Sequence, residues 1–206
     1  MNFIVCLLLG FIVAASGSIV PSFLNMTVVK FSLRCGSKSA FYLIAGFATV
    51  LFFQANIGAY LSNVLMENSE YITLIQQIGT GILLILSLNF FRLHFFTNRK
   101  RKKEEIDKSK AYLHGIGMSL LNTFAIPFYF TSISILIGME LFTYSFTNSL
   151  YFSIGSTVGS YSIYSVYAML APKIEKRITS LASKMDLILA CLTGIVGIGN
   201  FIYLLK

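Results

Sequence analysis

Acidic side chains are absent from every long apolar stretch of this sequence, and basic ones are confined to the short segments between those stretches. Only 12% of the 206 residues are charged, against 56% hydrophobic, and the mean hydropathy is +0.76. An ordinary soluble domain carries about 25% charged residues. That shortage excludes a water-exposed globule and predicts an integral membrane protein. The intervals free of Asp, Glu, Lys and Arg are 1–29, 39–66, 71–91, 111–139, 141–172 and 187–205, each 19 to 32 residues long. A bilayer core of roughly 30 Å needs about 20 helical residues. Each interval therefore crosses once and none comfortably twice, which gives six transmembrane helices in an all-α fold.

The groups that enzymes use are equally scarce. Cys6, Cys35 and Cys191 lack metal-ligand spacing, and two of them fall within spans. His94 and His114 flank a charged loop with no companion ligands. Without an acid in any span there are no paired carboxylates, and no nucleophile stands beside a base. We therefore expect no enzyme, no metal and no cofactor.

A net charge of +8 is compatible with nucleic acid, but its distribution points to the bilayer. Loop 1 holds Lys30, Arg34 and Lys38, loop 3 holds eight positive residues from Arg92 to Lys110, and loop 5 holds Lys173, Lys176, Arg177 and Lys184. The opposite side has Glu67, Glu70, Glu140 and the terminal Lys206. The positive-inside rule places loops 1, 3 and 5 in the cytoplasm and both termini outside. The partners implied are lipid and a small solute, not nucleic acid. Ala14-Ala15-Ser16 offers a small-residue cleavage site, but no positive charge precedes it, so the first stretch is expected to remain as a span.

Two spans carry polar interruptions. Ser16 to Asn25 reads S-G-S-I-V-P-S-F-L-N, and Pro21 there can neither donate to Gly17 nor leave Val20 helical. Asn122 to Pro127, N-T-F-A-I-P, interrupts span 4 in the corresponding place. Unwound backbone at membrane depth is tolerated where it faces protein or a wet cavity, and broken helices of this kind form transporter binding sites. Gly36 is a helix stop in loop 1. Span 2 carries Gly46, Thr49, Gln54, Asn56 and Gly58. In span 5, Gly155 and Gly159 form a GxxxG pair expected to pack within the chain, while Ser153, Ser156, Ser160, Tyr164 and Tyr167 recur at helical spacing.

Both halves run in the same order, a polar break, a glycine-bearing helix and a glycine-rich helix. Asn89-Phe90 near the end of span 3 is echoed by Asn200-Phe201 near the end of span 6. Three spans per half make the second half enter from the opposite side. The expected fold is thus two inverted three-helix repeats, residues 1–96 and 111–206, joined by the charged cytoplasmic loop 97–110, with helices 1 and 4 interrupted.

Pro21, Asn25, Gly36 and Gly46 stand at separations that resemble the lysine-exporter family of bacterial inner-membrane proteins, often written LysE, which includes homoserine and threonine exporters. The family's fourth helix commonly reads leucine-leucine-asparagine-proline-lysine, and here Leu120-Leu121-Asn122-Thr123-Phe124 stands in that place. The usual proline-glycine-proline is Pro21-Ser22-Phe23, and the glycine-aspartate often seen in helix 2 falls near Val50-Leu51. The resemblance covers essentially the whole chain. It implies a secondary transporter that exports a small amino acid or related metabolite across the inner membrane, with a homo-oligomer possible. Position and polarity nominate the site: Ser18, Pro21, Ser22 and Asn25 at the first break, Asn122, Thr123 and Pro127 at the second, and Thr49, Gln54, Tyr161 and Tyr164 along the path. The altered motifs leave open a second reading, a transport-inactive member serving as a membrane partner or sensor subunit.

Overall fold

The computed structural model describes residues 2–67, 110–122 and 124–174, with isolated positions between 77 and 92 and between 191 and 202. Most of spans 3 and 6, Thr123, and the charged loop up to residue 109 lie outside the described residues. Six helices are delimited and no strand occurs among the described residues: α1 Phe3–Ile19, α2 Phe23–Cys35, α3 Ser37–Glu67, α4 Ala111–Leu120, α5 Ala125–Gly138 and α6 Phe146–Met169.

Helix boundaries follow local chemistry. Asn2 caps α1 by accepting from the Ile4 amide at 3.2 Å, and Ser145 caps α6 by accepting from Asn148 at 3.1 Å. Gly36 separates α2 from α3 with φ 84° and ψ 155°, a region essentially closed to residues with a Cβ. Val20, the residue before Pro21, is extended at φ −67° and ψ 122°, as the proline ring requires. Pro127 lies inside the first turn of α5, where a missing N–H costs nothing, so the chain leaves helix at Leu121 to Phe124 and not at this proline.

Ser37–Leu65 within α3 is long and apolar enough to cross a membrane, with a mean hydropathy of 1.7. The pairs α1 with α2 and α4 with α5 pass the same test jointly and bend by 76° and 65° at their breaks. Among the described residues this makes one spanning helix, or three spans if each bent pair is one.

The principal contacts cross between the halves, α1 against α6 and α3 against α4, α5 and α6. On α1 the buried residues Cys6, Gly10, Ala14 and Ser18 recur every fourth position, leaving Leu8, Ile12 and Ile19 exposed on the other side. Such a ladder of small residues lets two backbones approach. A Cβ on Gly10 would lie 2.0 Å from the Phe152 carbonyl oxygen, and one on Gly155 would lie 2.0 Å from that of Leu7. The α3–α4 crossing repeats the arrangement, Gly46 meeting the Tyr112 oxygen at 2.2 Å and Gly115 that of Leu43 at 2.1 Å. In both crossings each glycine faces the carbonyl of the residue three positions before its partner glycine. Gly159 likewise packs on Phe11, so the GxxxG pair of α6 is used inside the chain. Between the crossings Phe31, Phe47, Phe142, Phe152, Leu43 and Ile133 form the buried core.

Gly115 and Gly117 provide an internal control, since a Cβ on Gly117 meets nothing within 4 Å. Gly117→Ala should raise stability by about 0.5–1 kcal/mol through helix propensity. Gly115→Ala should lower it by about 1–3 kcal/mol through overpacking. Thermal unfolding of both variants in the same detergent checks the opposite signs.

Candidate functional site

Asn25 is fully buried at the start of α2 and makes three hydrogen bonds. Its Nδ2 donates to the Ser18 carbonyl at 2.8 Å, and its Oδ1 accepts from both the Ser22 amide, at 3.0 Å, and the Ser22 hydroxyl. One side chain thus joins the last turn of α1, the connection and the first turn of α2. The Tyr167 hydroxyl on α6 donates to the next freed carbonyl, Ile19, at 2.7 Å. The Tyr164 hydroxyl faces Ser18 from the same helix.

The second break is held in the same manner from α3. The Gln54 amide nitrogen donates to the carbonyls of Ser119 and Asn122, at 3.4 and 3.5 Å. The Ser119 hydroxyl returns a bond to the Phe47 carbonyl at 3.4 Å. What Asn122 contributes here is backbone: its amide donates to Ser119 and its carbonyl accepts from Ala125 and Gln54.

Between the breaks, α6 presents a stripe of hydroxyls. Ser153, Ser156 and Ser160 are 0 to 1% exposed, Tyr164 is 5% exposed, and Tyr129 on α5 lies against Ser156 and Ser160. Ser156 donates to the Gly10 carbonyl at 3.2 Å. Ser160 faces the Tyr129 hydroxyl, while Ser153 Oγ, Ser165 Oγ and Gln54 Oε1 are buried without a hydrogen-bonding partner among the described residues. Aromatic edges close the layer, Phe47 on Tyr164 at 5.6 Å and Phe152 on Tyr129 at 6.4 Å between ring centres.

The structure divides the nominated residues into three groups. Ser18, Pro21, Ser22, Asn25 and Tyr164 gather at the first break, and Gln54 and Asn122 at the second. Thr49 and Tyr161 instead line an open groove of about 430 Å³ between α3 and α6, with Ala45, Phe52 and Val158. Thr49 and Thr157 in that groove already spend their hydroxyls on the Ala45 and Ser153 carbonyls of their own helices. Pro127 is half-buried at the start of α5, and Thr123 lies outside the described residues. Tyr129 and Tyr167 were not among the nominated residues. Tyr167 shares the hydroxyl periodicity of span 5, and Tyr129 is the one polar member of the buried ladder Ala125, Tyr129, Ile133.

No group of three or more His, Cys, Asp or Glu that could hold a metal ion occurs among the described residues. A family model described as LysE type translocator matches residues 15–204. No curated protein and no solved structure matches the chain.

The two breaks should respond unequally to loss of their amide side chains. Asn25→Leu removes three hydrogen bonds, each about 0.6 kcal/mol in a membrane, and strands a buried carbonyl at about 1–3 kcal/mol, so a loss of roughly 3 kcal/mol is expected. Gln54→Leu should cost more than Asn122→Leu, because the bonds at that break use the Asn122 carbonyl and not its side chain. Unfolding midpoints of the three variants test this order, and a larger loss for Asn122→Leu would contradict it.

Proposed function

The chain belongs to the LysE type translocator family, and on that premise we propose that it is a secondary transporter exporting a small amino acid or related metabolite across the inner membrane. The observation that carries this reading is the pair of bent helices. At each break a side chain on another helix bonds backbone carbonyls, Tyr167 the freed carbonyl of Ile19 at α1–α2 and Gln54 those of Ser119 and Asn122 at α4–α5, beside a buried layer of hydroxyls. Interrupted helices with backbone turned toward a protein interior are the usual means by which transporters bind solutes at the midplane.

We further propose that each bent pair is one interrupted span and that residues 1–96 and 111–206 are inverted repeats joined by the cytoplasmic loop 97–110. The matched glycine crossings support this. Exchanging the repeats turns the span 1–span 5 contact at Gly10 and Gly155 into the span 4–span 2 contact at Gly115 and Gly46. The charge distribution supports both termini outside and loops 1, 3 and 5 inside. In this reading Ser18, Ser22, Asn25 and Tyr164 form one side of the solute site, Gln54 and Asn122 the other, and Pro21 with Pro127 sets where helix stops and resumes. Alternating access is then a rocking of the two break regions about the glycine crossings.

Purified protein in liposomes should exchange at least one radiolabelled amino acid in a counterflow panel. Tyr167→Phe, which keeps the ring and loses the bond to Ile19, should slow that exchange several-fold while costing stability only about 0.6–1.7 kcal/mol. A panel in which nothing exchanges would remove the transport reading. Topology has its own test. Cys35, at the end of α2, should react with a membrane-impermeant maleimide only after the inner membrane is permeabilised, and labelling in intact spheroplasts would invert the orientation.

A further inference from the structure

We infer that the groove between α3 and α6 is the surface through which two copies of this chain pair side by side in the bilayer. The inference rests on the inverted-repeat reading above and is independent of which solute, if any, the chain moves.

The groove has the symmetry of the repeats. The shift in sequence that carries Gly46 to Gly155 also carries Ala45 to Ile154, Ala48 to Thr157, Thr49 to Val158 and Phe52 to Tyr161, and every one of these four pairs lines it. The groove therefore straddles the pseudo-two-fold axis of the repeats, which lies in the membrane plane, and is centred at mid-depth. No charged residue lines it, and its two threonine hydroxyls are spent on carbonyls of their own helices. Such a wall offers relief and little hydrogen bonding, which suits an apolar occupant.

Three features select a second copy over a lipid tail. The first is Tyr161, which is 36% exposed and makes no hydrogen bond among the described residues. Lys173, the next charged residue along the chain, stands about 18 Å of helix further on, so this hydroxyl lies within hydrocarbon. A lipid tail has no acceptor to give it, whereas a second copy in the same orientation brings polar protein atoms to the same depth.

The second feature is extent. Phe53, Ile57 and Tyr60 on α3 and Ile154, Val158 and Tyr161 on α6 follow the same i, i+4, i+7 spacing, so each helix turns one stripe outward, its members 36–60% exposed. At roughly 200 Å² for a large side chain, covering these six removes about 550 Å² per copy. The pair then buries about 1,100 Å², above the roughly 1,000 Å² that a specific interface requires. The third feature is shape. Phe53 is the most exposed residue of the lining and stands beside Phe52, their ring centres 5.4 Å apart. In a two-fold contact the same patch serves on both sides, so Phe53 of each copy enters the groove of the other. Packing of this kind, and not apolarity, is what associates helices in lipid. Both copies insert with one topology, so their true two-fold axis runs along the membrane normal and crosses the pseudo-axis at the groove, near Thr49 and Val158.

The test uses the full chain with Cys6→Ala, Cys35→Ser and Cys191→Ser, to which either Val158→Cys or, on the exposed face of α1, Ile12→Cys is added. A bis-maleimide applied to native membranes should link the Val158→Cys chain into a dimer and leave the Ile12→Cys chain single. In liposomes, the dye-labelled native chain should bleach in two steps. Val158→Trp fills the groove from the surface and should weaken pairing about tenfold while the melting temperature holds. Ile12→Trp should change neither. Single-step bleaching at every lipid dilution, equal linking at both positions, or pairing that survives Val158→Trp overturns the inference. So does a lipid that stays with the purified single chain and is displaced by Val158→Trp, which would give the groove to lipid. A link within one chain from Val158→Cys to a restored Cys191 would give it to span 6 and overturns it equally. Counterflow and Cys35 labelling do not depend on pairing, so its failure leaves the transport reading and the topology standing.

Discussion

A peptide carbonyl that loses its helical partner inside hydrocarbon must find another donor; the first break of this structure answers that demand with side chains, and the second adds a side-chain donor to carbonyls the turn already bonds. At the first, Pro21 and the extended Val20 end α1, and the carbonyls of Ser18 and Ile19 are taken up by Asn25 and Tyr167. At the second, no proline stands in the gap, and Gln54 reaches across from α3 to the carbonyls of Ser119 and Asn122. A bend of 76° in one pair and 65° in the other is sustained because these side chains are already in position. Removing Asn25 or Tyr167 strands a carbonyl at the first bend, whereas the second keeps its backbone bonds when Gln54 is lost.

Two of those donors, Gln54 and Tyr167, arrive on α3 and α6, so the placement of these two helices matters as much as the breaks. Glycine decides it. At the Gly10–Gly155 and Gly46–Gly115 crossings the backbones come close enough that a methyl group would overlap a carbonyl oxygen. The close approach brings Tyr167 to α1 and Gln54 to α4 as side effects of register. The groove holding Thr49 and Tyr161 lies on another surface and is largely apolar, with its threonine hydroxyls turned back onto their own helices.

The all-helical character and the end of α1 were legible in the sequence because they rest on local rules, namely charge-free length, proline at Pro21 and the glycine stop at Gly36, while spans 3 and 6 lie mostly outside the described residues. The bonding around Ser18, Ser22 and Asn25 was half-legible: three polar residues in an apolar run announce a shared purpose, though not which atom bonds which. Asn122 drew attention through its side chain, whereas the structure uses its carbonyl, and composition says nothing about backbone bonding. One tyrosine in the run I-P-F-Y-F-T has no polar neighbour along the sequence, and Tyr129 meets Ser156 and Ser160 only once α6 is set against it. Pro127 shows the opposite limit. A proline inside an apolar stretch looks like a break, yet three residues into a helix it is harmless.

The pairing of α1 with α6 also bears on the order of assembly during synthesis. The bond from Ser156 to the Gly10 carbonyl closes a loop of 146 residues, and the Ser32 to Ala168 bond closes one of 136. Helix α1 therefore waits, its small-residue ladder facing lipid or a transient companion, until some 146 further residues have been made. Helix α3 meets α4 and α5 earlier. Of the contacts described, those of α1 are among the last to be locked into place, and until then it is open to a wrong partner, including the same helix of another nascent copy.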